Sequence, residues 1–225
     1  MFRTLPMSPI ASSLRSFVRG LAPDAWYQFG TGITVVGAGV DTWADQSGNA
    51  RDLLQATDTN RPTLNADGSI TFDGADNYLK ASAFTLNQPE TVYLLVNPVT
   101  WADNATLFDG NGADTGALYQ TTATPRVDLY AGATAAANTN LVLGAYAAVA
   151  GIFNGASSVM QVNNTTPTTG NAGAANMGGF TLGAGAAPAN YANIQVKEVI
   201  IFAAAHDAST RARVIRYLMQ VGQVA

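Results

Sequence analysis

Residues Trp43 to Leu79 read WADQSGNARDLLQATDTNRPTLNADGSITFDGADNYL. The stretch opens on an aromatic, turns at Ser47-Gly48-Asn49, passes through Arg61-Pro62 and reaches a short strand ending in Phe72-Asp73-Gly74. Gly, Asn, Asp and Pro supply the backbone conformations that tight turns require. Between them, Trp43, Leu53, Leu54, Ile70 and Phe72 are the side chains a β-core requires. Corners and core residues alternate over short distances, which predicts a β-sandwich.

Working outward, the same rhythm continues. Ala25-Trp26-Tyr27 and Ile33 to Val36 precede the stretch as short β-prone pieces. After it, Thr91 to Val96 (TVYLLV) has the β-branched and aromatic enrichment of a core strand. Leu107-Phe108, Ala117 to Gln120, Val127 to Tyr130, Phe180 to Leu182 and Ile194 to Phe202 are further strands bounded by turn residues. Asn154-Gly155, between Tyr146–Phe153 and Ser158–Val162, is a strong hairpin signal. Ala131 to Asn140 and Thr165 to Ala175 are rich in small residues and read as loops. Many short strands with frequent turns predict one all-β domain, a two-sheet antiparallel sandwich over residues 24–225.

The termini differ. In residues 1–23, Ser8-Pro9 is a helix start, and Ile10, Leu14, Phe17, Val18 and Leu21 recur at helical spacing. Arg3, Arg15 and Arg19 leave this segment basic and free of acids. No continuous apolar run makes it a secretory signal, whereas its composition also suits a mitochondrial transit peptide. The plainer expectation is a helical arm carrying Arg3, Ile10, Leu14, Arg15, Phe17 and Arg19, docked on a partner or packed on the sandwich. At the other end, Asp207 or Ser209 caps a helix over 207–222, with Val214, Tyr217, Leu218 and Val221 as its apolar stripe and Arg211, Arg213 and Arg216 mostly off it.

Composition excludes several chemistries. The net charge is −4, which predicts no nucleic-acid footprint. Leu141 to Phe153 is interrupted by Gly144 and Gly151, so no apolar run reaches the roughly 20 residues of a membrane span. Cysteine is absent and His206 is the single histidine, which rules out thiolate chemistry and histidine-built metal sites. The chain has only two glutamates, Glu90 and Glu198, neither with an acid at i+2 or i+4. The paired carboxylates of a glycosidase therefore have no local signature, and no enzymatic activity is expected.

Three groups of residues remain. Counting by twos from Ile194 puts Glu198 on the apolar face of its strand, where it needs Arg61, Lys80 or a backbone corner as partner, or a bulge that turns it out. Asp109, Asn111 and Asp114, spaced D-G-N-G-A-D, can converge oxygens on a calcium ion, and Asp73, Asp76 and Asn77 form a second such cluster. No other cofactor is expected. Trp101, Tyr119, Tyr130 and Tyr191 lie near turns, where an exposed ring can stack on a sugar beside amide side chains. Trp26 and Trp43 read as core.

Ala25-Trp26-Tyr27, Trp43 to Asn49, Arg61-Pro62, Phe72 to Leu79, Ile194 to Phe202 and the terminal Arg213-Val214-Ile215-Arg216-Tyr217-Leu218 occur in this order. Together they resemble the concanavalin A-like (laminin-G-like) jelly-roll domains found in phage virion proteins and secreted bacterial proteins. The resemblance implies glycan binding in some members and structural cladding in others. With few charges and no catalytic pair, the expectation is a non-enzymatic virion structural protein of a phage capsid or tail. Its partners would be other virion proteins in a homo-oligomer, such as a trimer. The alternative is a carbohydrate-binding module for cell-surface glycan.

Overall fold

The computed structural model describes residues 9–121 and 125–224. A helix at Pro9–Gly20 (α1) is followed by Ala25–Tyr27 (β1), Ile33–Val36 (β2), Gly39–Trp43 (β3), Leu53–Leu54 (β4), Thr63–Leu64 (β5) and Ile70–Asp73 (β6). Next come Leu79–Ala81 (β7), Glu90–Pro98 (β8), Thr106–Asp109 (β9), Ala117–Gln120 (β10), Val127–Tyr130 (β11) and Thr134–Asn138 (β12). The remaining elements are Ala147–Phe153 (β13), Ser158–Val162 (β14), Thr168–Gly170 (β15), Thr181–Leu182 (β16), Asn193–Phe202 (β17) and Ala208–Gly222 (α2).

The strands form two antiparallel sheets packed as a jelly-roll sandwich. One has 8 strands in the order β15-β14-β13-β8-β17-β6-β5, with β1 also paired to β17. The other has 9, in the order β12-β11-β10-β9-β16-β7-β4-β3-β2. Trp43, Phe72, Leu94, Phe108, Leu118, Leu129, Phe153, Phe180 and Val199 fill the space between them. Burying such side chains is the main driving force of folding, at roughly 25 cal/mol per Å² of apolar surface.

The Trp43–Leu79 stretch ties the two sheets at their corners. The Asp45 carboxylate accepts the backbone N–H of Trp26 at 2.8 Å, of Ser47 at 2.8 Å and of Arg51 at 3.2 Å. Arg61 bonds Asp41 at 2.8 Å and Asp58 at 2.7 Å, and its remaining donors meet the carbonyls of Gln55, Ala56 and Val36. A guanidinium with all its donors engaged this way pins three loops around β3. Arg61 is therefore not a partner for Glu198.

Both helices lie on the outer face of the 8-stranded sheet. Leu14 and Val18 of α1 and Val214, Tyr217 and Leu218 of α2 bury a second core with Trp26, Tyr93, Ile200 and Phe202. Phe17 packs against the same cluster under the Arg213 guanidinium, 3.4 Å from its ring centroid. Arg15 bonds Gln28, and the guanidinium of Arg19 lies 5.5 Å from the Trp26 ring centroid. Of the two expectations for this segment, these contacts describe the helix packed on its own sandwich. Arg3, Ser8 and the side chain of Ile10 lie outside the described residues. Among the described residues no helix is long and apolar enough to cross a membrane.

A bulge in β17 decides where Glu198 points. The register against β8 shifts between Val196 and Glu198, which reverses the alternation of faces. Ile194, Val196, Val199 and Ile201 therefore face the inter-sheet core, whereas Ile200 and Phe202 face the helices with Glu198. Two further expectations are corrected. The small-residue segments read as loops each contain an edge strand, β12 and β15, because backbone pairing requires no apolar side chains. Arg211, expected to be solvated, is buried and donates to Gln161 at 2.7 Å.

Candidate functional site

Among the described residues no helix lies on the outer face of the 9-stranded sheet. On it, β10 and β11 pair with Ala117 opposite Tyr130, Leu118 opposite Leu129 and Tyr119 opposite Asp128. Leu118 and Leu129 are core residues, so strand alternation sends Tyr119 and Tyr130 to the outer face as diagonal neighbours. Their rings meet edge to face with centroids 6.3 Å apart, and the Tyr119 and Thr134 hydroxyls are 3.4 Å apart. Ala117, too small to fill the space beside them, forms the floor.

Three loops complete a recess of about 260 Å³, lined by Asn104, Thr106, Asp114, Ala117, Tyr119, Tyr130 and Asn190. Backbone bonds hold its rim: Asn104 N–H donates to Gln120 O at 2.9 Å and Thr106 N–H to Asn190 O at 2.7 Å. Asn104, Asp114 and Asn190 all sit in the left-handed region, with φ of 66°, 61° and 54°. Asn and Asp tolerate this backbone better than most residues, and such positions concentrate at functional sites. Two aromatic rings over a small floor, ringed by amides, a hydroxyl and one carboxylate, suit a sugar ring with its hydroxyls.

A larger recess of about 310 Å³ lies at Asn49, Arg51, Asp52, Leu54, Ser82 and Phe84. Its one aromatic, Phe84, is already covered by the Arg51 guanidinium at 4.2 Å, and Arg51 is bound to Asp24 at 3.0 Å. With that ring face occupied, the smaller recess is the better stacking site.

The four aromatics expected from sequence separate. Tyr119 and Tyr130 line the recess. Tyr191 follows the rim residue Asn190 but turns its hydroxyl to Pro188 O at 3.0 Å and pairs with Tyr78 at 6.5 Å. Trp101 is half-buried against the inter-sheet core. Sequence reasoning does not single out Asn104, Thr106, Ala117 or Asn190; they come from separate loops and strands that only the register brings together.

The expected calcium cluster is arranged as a loop staple. Asp109 is buried and accepts backbone N–H groups of Gly110 at 2.7 Å, Asp114 at 2.9 Å, Thr115 at 3.2 Å and Ala186 at 3.1 Å. The Lys80 ammonium takes the Asn111 carbonyl at 3.1 Å and the Ala186 carbonyl at 2.8 Å. Donors thus already meet these oxygens, and no group of three or more His, Cys, Asp or Glu converges as a metal site among the described residues. Gly110 lets the loop close: a Cβ there would meet the Thr115 hydroxyl at 2.3 Å and the Met177 carbonyl at 2.5 Å. In the second cluster, the Asp73 carboxylate accepts the N–H groups of Ala75, Asp76 and Asn77, as a turn does.

Both glutamates are buried. Trp26 Nε1 and Tyr217 OH each donate to Glu198 Oε1 at 2.7 Å, and the Phe29 N–H reaches Oε2 at 3.4 Å. Burial pushes the Glu198 carboxyl above its ordinary range against the pull of these donors. Lys80, like Arg61, is engaged elsewhere. Glu90, between the sheets, accepts no hydrogen bond of ordinary geometry among the described residues. Its burial pushes the carboxyl from 4.5 up to about 8, with the Met177 backbone drawing it back slightly. His206 sits under Tyr93, whose hydroxyl lies 2.8 Å from Nδ1, and beside Phe202; burial lowers its pKa.

No family model matches the chain, and no curated protein matches it in sequence. Solved structures do. A GH54 α-L-arabinofuranosidase soaked with a cyclic sulfate inhibitor superposes with a TM-score of 0.66 at 14% identity, over 89% of this chain and 59% of that one. A point mutant of a GH54 α-L-arabinofuranosidase soaked with 4-nitrophenyl α-L-arabinofuranoside gives 0.64 at 15%, over 81% and 51%. Trypanosoma rangeli sialidase in complex with sialic acid gives 0.61 at 12%, over 94% and 38%. The chain thus spans about half of the arabinofuranosidases and little more than a third of the sialidase, and at these identities the likeness is one of fold. It nevertheless corrects two expectations. These solved structures are of glycosidases rather than virion components, so neither the phage structural role nor the absence of enzymatic activity stands as an expectation.

Proposed function

We propose that this chain is a carbohydrate-recognising sandwich domain of the concanavalin A-like kind, which takes a saccharide at the Tyr119–Tyr130 recess. The observation that carries the reading is the uncovered aromatic pair on the outer sheet face, rimmed by Asn104, Asp114 and Asn190. In this reading the tyrosine rings supply an apolar platform for the C–H face of a sugar, and the amides and Thr106 bond its hydroxyls. The glycosidase neighbours support only the broad class of ligand, a saccharide.

A glycan array tests it. The wild-type protein is expected to bind a subset of glycans saturably, and Tyr119→Ala and Tyr130→Ala each to weaken that binding at least about tenfold, or ~1.4 kcal/mol. Unchanged binding in both variants, or none by the wild type, overturns the reading. A second reading, cleavage of a glycosidic bond, is favoured by the names of the neighbours and by the Asp114 carboxylate at the rim. Release of reducing sugar from the bound glycan, abolished by Asp114→Asn, selects it; binding without release selects the first.

A further inference from the structure

We infer that the Tyr119–Tyr130 recess is selective for uncharged saccharide, about one sugar ring at a time, and that Asp114 is the residue that turns acidic sugars away. The inference rests on the glycan-binding reading and adds the class of ligand and the residue that sets it.

The charge inventory of the lining is short. Asn104, Thr106, Ala117, Tyr119, Tyr130 and Asn190 are neutral at pH 7, and Asp114 is the one charged side chain. It is exposed and belongs to none of the ion pairs among the described residues. Its backbone N–H is held by Asp109 at 2.9 Å, so the loop fixes the backbone from which the carboxylate projects. Beneath the same loops, the Lys80 ammonium and the Asp109 carboxylate oppose each other in charge and are both engaged by backbone groups. Just before β11, Arg126 pairs with the buried Asp128 at 3.3 Å. Nothing in the lining therefore offers a cation to a carboxylated sugar, whose recognition calls for Arg or Lys donors.

Like charges a few ångström apart at a protein surface repel enough to weaken binding about tenfold at low salt. That is enough to discriminate without any steric difference. Size adds to charge: 260 Å³ falls below the roughly 300–1,000 Å³ of sites for drug-sized ligands. The recess thus has room for a single ring, with the rest of a glycan lying outside it.

The test uses the full chain and the neutral oligosaccharide bound best on the array, compared with the same oligosaccharide oxidised at C6 to the hexuronic acid. Titration calorimetry at low salt is expected to show the acid bound at least about tenfold more weakly. The ratio should shrink in 0.5 M NaCl as the charges are screened. In Asp114→Asn, whose side chain also tolerates left-handed backbone, the ratio is expected to fall below about threefold. Equal affinities in the wild type, or a ratio unchanged in Asp114→Asn, overturn the selectivity while leaving glycan binding intact. Binding of neither sugar removes the glycan-binding reading itself, and the inference with it.

Discussion

The two outer faces of this sandwich begin alike and are used differently. Each carries aromatic side chains on the strands beneath. On the 8-stranded sheet, Trp26, Tyr93 and Phe202 are sealed under α1 and α2, with Tyr217 meeting Trp26 edge to face at 6.2 Å. On the 9-stranded sheet, Tyr119 and Tyr130 meet in a comparable geometry at 6.3 Å, and no helix among the described residues covers them. The polar groups differ too. The covered face holds Glu198 among three protein donors, whereas the open face sets neutral amides and one exposed carboxylate around a recess. An aromatic pair on a sheet is therefore no signal of function until one asks what lies over it.

The largest expected break in this comparison comes from the covered face. Trp26→Ala removes a fully buried indole and the Glu198 hydrogen bond together, leaving a cavity and an under-satisfied carboxyl. A loss of about 3–5 kcal/mol is expected in urea unfolding. Sugar affinity per folded molecule should not change, because the indole does not touch the recess. If the affinity falls with stability, the two faces are not independent.

A second, pH-dependent effect separates Glu198, held by its donors, from Glu90 between the sheets. A carboxyl whose folded-state pKa is raised supports the fold below its unfolded value and loses that contribution as pH climbs. For Glu90 the window runs from about 4.5 to about 8, with a slope of at most ~1.4 kcal/mol per pH unit. Glu90→Gln, which cannot ionise, is expected to flatten the decline in melting temperature across that window and to be more stable than wild type at pH 8. A decline of undiminished slope in Glu90→Gln would place the titrating group elsewhere.

Much of the architecture is legible in the chain. Trp43, Phe72 and Leu118 announce a core because apolar residues alternate with turn residues over distances that suit strands. Tyr119 and Tyr130 are legible as outward residues by the same alternation, in A-L-Y-Q and V-D-L-Y. The rest of the site is not. Asn104, Ala117 and Asn190 mark nothing locally, and their convergence depends on β9, β10 and the bridge from Thr106 to Tyr191 falling into register. Asp114 is visible only as part of a cation cluster, because the use of Asp109 by four backbone N–H groups is a property of the folded loop. Counting by twos misplaces Glu198 because it runs through a bulge: one extra residue in β17 moves the carboxylate from the sandwich interior to the helix face. The phage reading rests on composition and on fold resemblance, and neither of these specifies a site.

The central claim is that saccharide binds where the sheet is left uncovered. The most direct test is a titration of the ¹⁵N-labelled 225-residue chain with the best neutral oligosaccharide, followed by amide chemical shifts. Shifts are expected to gather at residues 104–106, 114–119, 130 and 190–191, and to be small under α1 and α2. Shifts centred instead on Trp26 and Tyr217, or on the Arg51–Phe84 recess, would contradict it.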